Sequence, residues 1–398
     1  MLNVLCVGSS LLIGWGGGLL INKGASQYRN FIYLIVLLSV WLLVYTLVIN
    51  KCLNGNIFLL NVLLSSVVIL CIKTKSLLIF YIFFELRVIP ITLIVFLFGY
   101  QPEKLQASLF LLIYTVVRRL PLLLFIVTHE RHHFITIVRS VIISVPITMG
   151  FIVKTPMFLL HTWLPKAHVE APVGGSIVLA GVLLKLGSYG LLLFLPLIKL
   201  NTLLLFYYGI GLIGSSLGAL ICLRQGDLKL LIAYSSVVHM GVVTLGFIRA
   251  TEVGYSCGLI MVLGHGLSSP FIFAFSYWLY ESSHSRLMPN NSRAEPIIMG
   301  ALIALVSLNI GVPPSLSLWS EVLISVSSLH LLRWSGPALA VVFLLGAVYN
   351  LYLYTSCIHS KFSVSSKQIH SVTIYPLAQV VFYGYAAFFC LDLFHIFT

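Results

Sequence analysis

Long runs of apolar residues, separated by short polar segments, make up almost the whole chain. A run of about 20 apolar residues is long enough to cross the hydrocarbon core of a membrane as a helix. The runs lack the alternation of apolar and polar positions that is typical of a membrane β-barrel. The pattern therefore predicts an all-α polytopic membrane protein.

The pattern predicts about thirteen transmembrane helices joined by short loops. They cover residues 2–21, 30–50, 57–72, 76–98, 104–128, 134–163, 173–196, 202–222, 229–249, 253–280, 297–331, 337–357 and 373–397. The first run lacks the basic segment of a secretory signal, so it is predicted to be a span. The loop at 129–133 contains three histidines, but a solvated loop is the favoured interpretation over a metal site.

Two of the predicted helices contain prolines that would interrupt them. Proline removes a backbone hydrogen bond, so we predict breaks near Thr155-Pro156 and near Gly311-Val312-Pro313-Pro314. Interrupted helices at corresponding places in two halves are typical of inverted-repeat transporters. The predicted units are N-terminal helices at 1–72, repeat halves at 76–196 and 202–357, and a C-terminal helix at 373–398.

The composition agrees with a membrane location and narrows the possible functions. With 60% hydrophobic and 8% charged residues, and a mean hydropathy of +1.07, the chain has too few polar residues to cover a water-soluble globule. The net charge of +13 comes from basic residues scattered singly through short loops, so nucleic acid is not expected as a partner.

No cofactor-binding motif is present in the sequence. The seven cysteines show no C-x-x-C or other ligand spacing, which argues against an iron–sulfur cluster or a structural zinc site. Neither G-x-G-x-x-G after a strand nor a phosphate-binding P-loop occurs. We therefore predict that this chain binds no cofactor and no metal.

Ionisable residues inside the apolar runs are the main candidates for function. They are Glu85, Arg87, Arg118, Arg119, Arg139, Lys154, Lys185, Lys229, Glu321 and Asp392, with His161, His239 and His265. A charge near the centre of a bilayer costs about 3 kcal/mol on insertion scales, so these groups must pair with one another or serve a function. Buried lysines, glutamates and histidines can change protonation state with small changes in their surroundings, as a proton relay requires.

Each candidate also has a structural interpretation. For Lys185, midway along its predicted span, and for Glu85, function is favoured over a static pair. Lys229 lies beside Asp227 at the start of a span, where an ordinary loop salt bridge explains it equally well. His161 is as easily a structural histidine. For His265, whose flanking glycines permit close backbone approach, function is favoured, whereas Asp392 is expected at the membrane interface.

Three segments carry a resemblance to a known family. KTPMFLLHTWLPKAHVEAPVGGSIVLAGVLLKLGSYG, QGDLKLLIAYSSVVHMG and MVLGHGLSSPFIF closely resemble the antiporter-like membrane subunits of respiratory complex I, and the resemblance extends over roughly residues 76–355. It implies two inverted repeats of five helices, each with a broken helix. It also implies a buried axis of Lys, Glu and His that carries protons across the mitochondrial inner membrane.

The resemblance also implies residue roles and partners. The expected relay residues are Glu85, Lys154, Lys185, Lys229, His239, His265 and Glu321, with His161 and His168 as secondary candidates. NADH, FMN, iron–sulfur clusters and ubiquinone are expected in other subunits of the complex. The implied partners are the other membrane-arm subunits and the lipid bilayer.

The sequence departs from the family at Arg87, Arg118 and Arg119, where members usually carry small or polar residues. Either these arginines pair with Glu85 and its neighbours, or they come from translating the gene with the wrong mitochondrial code. Peptide mass spectrometry distinguishes the two explanations.

Three functions are compatible with these patterns. The favoured one is a proton-translocating subunit of complex I. The alternative is a subunit of a multi-subunit cation/proton antiporter, which shares the motifs but has no redox partner. The third is a scaffold that only seals the membrane arm, and it predicts that neutralising Lys185 leaves pumping intact.

Overall fold

A computed structural model describes residues 55–74, 76–99, 101–129, 141–195, 201–283, 285–288, 296–330, 332–358 and 385. All regular secondary structure in these residues is helical. The helices of the first part are α1 Gly55–Lys73, α2 Leu77–Leu86, α3 Val88–Phe98, α4 Lys104–Val117, α5 Leu120–His129, α6 Val141–Ile152, α7 Trp163–Glu170, α8 Val173–Val178 and α9 Leu184–Phe194. Those of the second part are α10 Asn201–Leu223, α11 Leu228–Ile248, α12 Glu252–Ser283, α13 Pro296–Ile310, α14 Leu316–Leu329 and α15 Ser335–Ile358.

The prediction of an all-α polytopic membrane protein is confirmed for this part of the chain. Seven apolar helical stretches in the described residues are long enough to cross a membrane. The predicted spans 2–21, 30–50 and 373–397 lie outside the described residues, as do most of the histidine loop at 129–133 and Asp392. The total of about thirteen helices and the division into repeats therefore stay predictions.

The first predicted helix break is confirmed, but it is longer than predicted. Helix α6 ends at Ile152, and the chain makes irregular turns until α7 begins at Trp163. The indole Nε1 of Trp163 donates a hydrogen bond of 2.9 Å to the Val153 carbonyl, which folds the new helix back against the end of the old one. The predicted end of this span at residue 163 is therefore wrong, because a helix begins there instead of ending.

The second predicted break is confirmed at the expected place. Helix α13 ends at Ile310, and α14 begins at Leu316. Gly311 takes a φ of 86°, a conformation that favours glycine because it has no Cβ. Ser315 then caps α14, since its hydroxyl accepts a hydrogen bond from the Leu318 amide.

A π-helical turn at Leu179–Leu183 joins α8 to α9. Such turns are rare and occur mostly as single bulges within α-helices. The turn comes immediately before Lys185, so the helix that carries this lysine has wider backbone geometry just ahead of it. The sequence pattern predicted a regular helix here.

The burial of the helices divides them into central and peripheral sets. The α8–α9 stretch and α11 are buried almost along their whole length, whereas α4, α5 and α15 leave most of their apolar side chains at least partly exposed. Exposed apolar side chains suit helices that face lipid, since lipid tails are as apolar as leucine. The central helices are therefore the ones that can hold polar groups away from lipid.

Gly187 lies where α9 passes against the first helix break. A Cβ at this position would be 2.9 Å from Lys154 Cβ and 3.0 Å from the Lys154 carbonyl carbon. The absence of a side chain at Gly187 thus lets two backbone segments touch. This contact places Lys154 and Lys185 on adjoining pieces of backbone.

We expect Gly187→Ala to lower the free energy of unfolding by about 1–3 kcal/mol, because the added methyl group overpacks a contact with backbone atoms. The measurement is the thermal unfolding midpoint of the protein extracted from its native membrane. Gly209→Ala is the matched control, since its added Cβ would meet no atom within 4 Å. Equal midpoints for the two variants would contradict the predicted close contact.

Candidate functional site

Most of the residues singled out from the sequence lie inside the chain. Eight are buried, namely Lys154, His161, His168, Lys185, Lys229, His239, His265 and Glu321. Glu85 is partly buried, with 21% of its side chain exposed. They come from six of the helices and from the first helix break, and the structure brings them into three groups.

The first group surrounds Glu85 on α2. Arg119, from the turn between α4 and α5, places Nη1 2.6 Å from Glu85 Oε1, although the angles of this ion pair are not those of a hydrogen bond. The guanidinium groups of Arg87 and Arg119 both lie over the ring of Phe84, at 3.9 and 5.4 Å from its centroid. Arg87 also donates from Nε to the Phe84 carbonyl at 2.9 Å.

The structure explains two of the three unexpected arginines. Arg119 pairs with Glu85, and Arg87 packs beside that pair. Arg118 instead lies exposed in the middle of an apolar stretch, with its guanidinium 4.2 Å from the Tyr114 ring centroid. Within the described residues no acidic side chain forms an ion pair with it.

Lys154 adds a third buried cation to this first group. It lies in the irregular turns after α6, with Nζ 5.5 Å from the centroid of the Trp163 ring. Lys154 also lies within electrostatic range of Glu85, Arg87 and Arg119. The group therefore has one acid among three bases, so its cations compete for a single carboxylate.

Lys185 on α9 is the centre of the second group. In its ammonium form Nζ donates to the Ala180 carbonyl of the π-helical turn at 2.6 Å. The same nitrogen lies 2.8 Å from Nδ1 of His265 on α12, 80 residues further along the chain. The imidazole accepts this hydrogen bond at Nδ1 when it is neutral with its proton on Nε2. The pair joins the two predicted repeat halves.

Two further side chains continue from His265 into the second half. The ring centroid of His239 on α11 lies 5.4 Å from that of His265. His239 Nε2 lies 3.4 Å from the hydroxyl of Tyr349 on α15. Beyond them is a small cavity that is lined by His239, Asn309, Tyr349 and Glu321.

The third group lies at the start of α11. Lys229 donates from Nζ to the Ala171 carbonyl at 3.1 Å and to the Val169 carbonyl at 3.4 Å. Glu170, the residue between these carbonyls, lies 3.9 Å from Arg286 in an ion pair. Asp227, the neighbour that the sequence offered as a salt-bridge partner, forms no ion pair with Lys229 in the described residues. Lys229 is thus held by backbone carbonyls.

His168 on α7 connects the second and third groups. It is fully buried, its ring stacks on Phe273 at 4.4 Å, and it is within electrostatic range of both Lys229 and Lys185. Among the described residues neither ring nitrogen has a hydrogen-bond partner. The His161 ring stacks on the Phe158 ring, with 4.9 Å between their centroids, and it also contacts the Tyr234 ring edge-on.

Sequence reasoning missed Glu170, Arg286, Tyr349 and Asn309. Asn309 stands in the apolar run IALVSLNI, and a lone amide in such a run is a usable signal, because polar side chains in membrane helices usually bond across helices. Glu170 and Arg286 fall in segments that were assigned to loops. Tyr349 gave no signal, since tyrosine is common in this chain, with 19 copies. No group of three or more His, Cys, Asp or Glu in the described part comes together as a metal site would require.

The Lys185–His265 contact predicts different effects for two substitutions at His265. Leucine removes the acceptor and leaves a buried ammonium partly unpaired, so we expect the unfolding free energy to fall by about 1–3 kcal/mol. Asparagine has a side-chain oxygen near the position of Nδ1, so His265→Asn is expected to lose less than half as much.

Thermal unfolding of the protein in detergent measures both losses. His161→Leu is the control, because His161 Nδ1 has no partner in the described residues, and its loss is expected to be smaller. A leucine variant as stable as the asparagine variant would show that Lys185 does not depend on the imidazole.

Comparisons with known proteins identify the family. The family described as NADH:quinone oxidoreductase/Mrp antiporter, TM, matches residues 74–349. NADH-ubiquinone oxidoreductase chain 4 of Lumbricus terrestris is 37% identical over an alignment of 358 residues that covers 83% of this chain and 79% of that protein.

Two solved structures share the fold. Respiratory complex I from Thermus thermophilus with bound NADH contains a chain with a TM-score of 0.80 at 21% identity, covering 92% of this chain and 83% of that one. The Mrp complex from Dietzia sp. DQ12-45-1b contains a chain with a TM-score of 0.81 at 20% identity, covering 92% of this chain and 44% of that one. The family pattern matches residues 74–349, which are most of this chain, and the Lumbricus terrestris protein is 37% identical to it. The chain therefore belongs to the NADH:quinone oxidoreductase/Mrp antiporter family of membrane proteins.

Proposed function

We propose that this chain is the proton-translocating membrane-arm subunit of an NADH:ubiquinone oxidoreductase, equivalent to the chain 4 proteins that it resembles. The family and the relatives support the assignment. The single observation that carries the mechanism is the 2.8 Å contact between Lys185 Nζ and His265 Nδ1, because it joins two groups that can both exchange protons.

The proposed route follows the buried groups. Protons enter the centre near Lys229 and reach Lys185 through His168, which lies within electrostatic range of both lysines. From Lys185 they pass to His265 and His239, and then to the cavity at Glu321. Glu85 and Lys154 form the opposite end, where Gly187 lets the Lys154 segment touch α9.

Lysine suits this role because it can lose its proton when it is desolvated, whereas the guanidinium of arginine stays charged. The ammonium of Lys185 is held by one carbonyl and one imidazole and forms no ion pair in the described residues. A proton that leaves Nζ for His265 Nδ1 leaves a neutral amine and produces an imidazolium, which passes a proton onward from Nε2. A change in the position of a charged side chain near Lys185 would shift the equilibrium of this proton exchange between Lys185 and His265.

The electron-transfer chemistry belongs to the partners. In the proposed complex, NADH, FMN, the iron–sulfur clusters and ubiquinone are held by other subunits, and this chain couples to them through the membrane arm. We place the complex in the mitochondrial inner membrane, as the chain 4 relatives imply. The finer architecture of about thirteen helices and two inverted five-helix repeats belongs to the same proposal, and the two helix breaks support it.

A subunit of a multi-subunit cation/proton antiporter is the alternative. The fold shared with the Mrp complex chain supports it, but that chain is more than twice as long as the matched part and only 20% identical. The higher identity to chain 4 of NADH-ubiquinone oxidoreductase favours the redox-coupled complex.

Lys185→Arg tests whether Lys185 supplies a transferable proton or only a fixed charge. We expect the arginine variant to lose proton translocation nearly as completely as Lys185→Ala, because a guanidinium keeps its proton. Assembly is expected to be better preserved in the arginine variant, which retains a donor for Ala180 and His265.

Both variants are measured in reconstituted complexes, as proton uptake and as NADH oxidation with an artificial acceptor that bypasses the membrane arm. Because this chain is expected to hold no redox centre, acceptor-linked oxidation is the control and should stay near normal. Full pumping by the arginine variant would show that the charge is static. Full pumping by the alanine variant would support a scaffold role.

Purification of the native assembly separates the two transport functions. We expect NADH oxidation, flavin and iron–sulfur absorbance to co-purify with this chain in mild detergent. An assembly that exchanges cations for protons but carries no flavin would favour the antiporter instead. The molar ratio of this chain, quantified by mass spectrometry, to flavin shows whether the flavin belongs to the same assembly or to a contaminating protein.

A further inference from the structure

The proposed proton route from His239 to Glu321 has no side chain assigned to carry the proton between them. His239 and Glu321 lie on α11 and α14 and line the same cavity, but no hydrogen bond joins them in the described residues. The cavity has room for about one water molecule. A proton that reaches His239 therefore needs a further polar group to cross to the carboxylate.

Tyr349 occupies the position that such a group requires. It is fully buried on α15, lines the same cavity, and lies within electrostatic range of Glu321. Its hydroxyl is 3.4 Å from His239 Nε2. An approach of about half an ångström would bring the two atoms to an ordinary hydrogen-bond distance of roughly 2.9 Å.

The neighbouring amides hold α15 in register with the helices around the relay. Asn309 donates from Nδ2 to Asn350 Oδ1 at 3.0 Å, and Asn350 donates to the Gly346 carbonyl at 2.9 Å. The Ser268 hydroxyl, on the same helix as His265, donates to Asn309 Oδ1 at 3.3 Å. Three helices are thus bonded together one residue away from Tyr349, which holds the α15 backbone at Tyr349 against its neighbours.

We propose that Tyr349 is a proton-exchanging residue that links His239 to Glu321, an inference that rests on the proposed function. When His239 is an imidazolium, its Nε2–H bond breaks and the proton goes to the phenol oxygen. The phenol O–H bond breaks in the same step, and that proton passes to the Glu321 carboxylate, directly or through a water molecule in the cavity.

This exchange balances without a co-reactant. Histidine ends neutral, the carboxylate ends as a carboxylic acid, and the phenol is unchanged in charge. A phenol suits the step because its hydroxyl both donates and accepts. The phenylalanine ring has the same shape but can do neither. The structural alternative is that Tyr349 only fills space between α11 and α15, in which case its hydroxyl is dispensable.

Tyr349→Phe tests the proposal in the intact complex, with proton uptake measured per NADH oxidised by quinone. We expect the ratio of protons to electrons to fall at least several-fold. Tyr208→Phe is the matched control, because Tyr208 is equally buried and its hydroxyl has no partner among the described residues. Tyr349→His is the rescue variant, since it returns a proton-carrying group to the cavity, and it should recover part of the loss.

Each outcome decides between the two interpretations. Loss in Tyr349→Phe, normal pumping in Tyr208→Phe and partial recovery in Tyr349→His support the proposal. A normal ratio in Tyr349→Phe overturns it, and so does a phenylalanine variant that fails to assemble, because the hydroxyl would then be structural. Lys185→Ala, measured alongside, distinguishes failure of the proposed function from failure of this inference. If Lys185→Ala pumps normally, the proposed function is wrong. If Lys185→Ala fails to pump but Tyr349→Phe pumps normally, only the role of Tyr349 is wrong.

Discussion

Charge in a medium of low dielectric is the constraint on which this structure depends. Bringing a lysine or arginine into a membrane-embedded core costs several kcal/mol unless its donors find acceptors. The described chain meets this need mainly with backbone carbonyls. Lys185 and Arg87 donate to the π-helical turn, at Ala180 and Leu183, and Lys229 donates to Ala171 at the end of α7. Irregular backbone and buried cations therefore occur together because each satisfies the other.

A cation held by carbonyls differs functionally from one held by a carboxylate. An ion pair gains stability only while both partners are charged, so it resists loss of the proton. Carbonyls are dipoles without net charge, so they oppose loss of the proton less than a carboxylate does. Lys185, beside the neutral base His265, is in this situation. Glu85 is held instead by the guanidinium of Arg119.

The sequence predicted the parts of the site better than their connections. The lysines, histidines and glutamates could be identified because charge in an apolar run is costly, and the helix breaks because proline cannot donate. The Lys185–His265 contact could not, since its partners are 80 residues apart and no local pattern encodes their distance. The π-helical turn escaped because its residues fit a regular helix equally well. Tyr349 escaped because a tyrosine becomes informative only when its hydroxyl is known to lie near a histidine and its side chain to share a cavity with a carboxylate.

The two glutamates of the proposed relay have opposite surroundings, and this difference bears on the direction of transfer. Glu85 has a guanidinium 2.6 Å away and two further cations nearby, so its carboxylate has close counter-charges. Glu321 lies by a small cavity, and no ion pair within the described residues holds it. Within the described residues, Glu321 is thus the relay carboxylate without a close counter-charge, and we expect it rather than Glu85 to accept protons from the centre. Net transport then requires that a change in the partner subunits lower the affinity of Glu321 for its proton in each cycle.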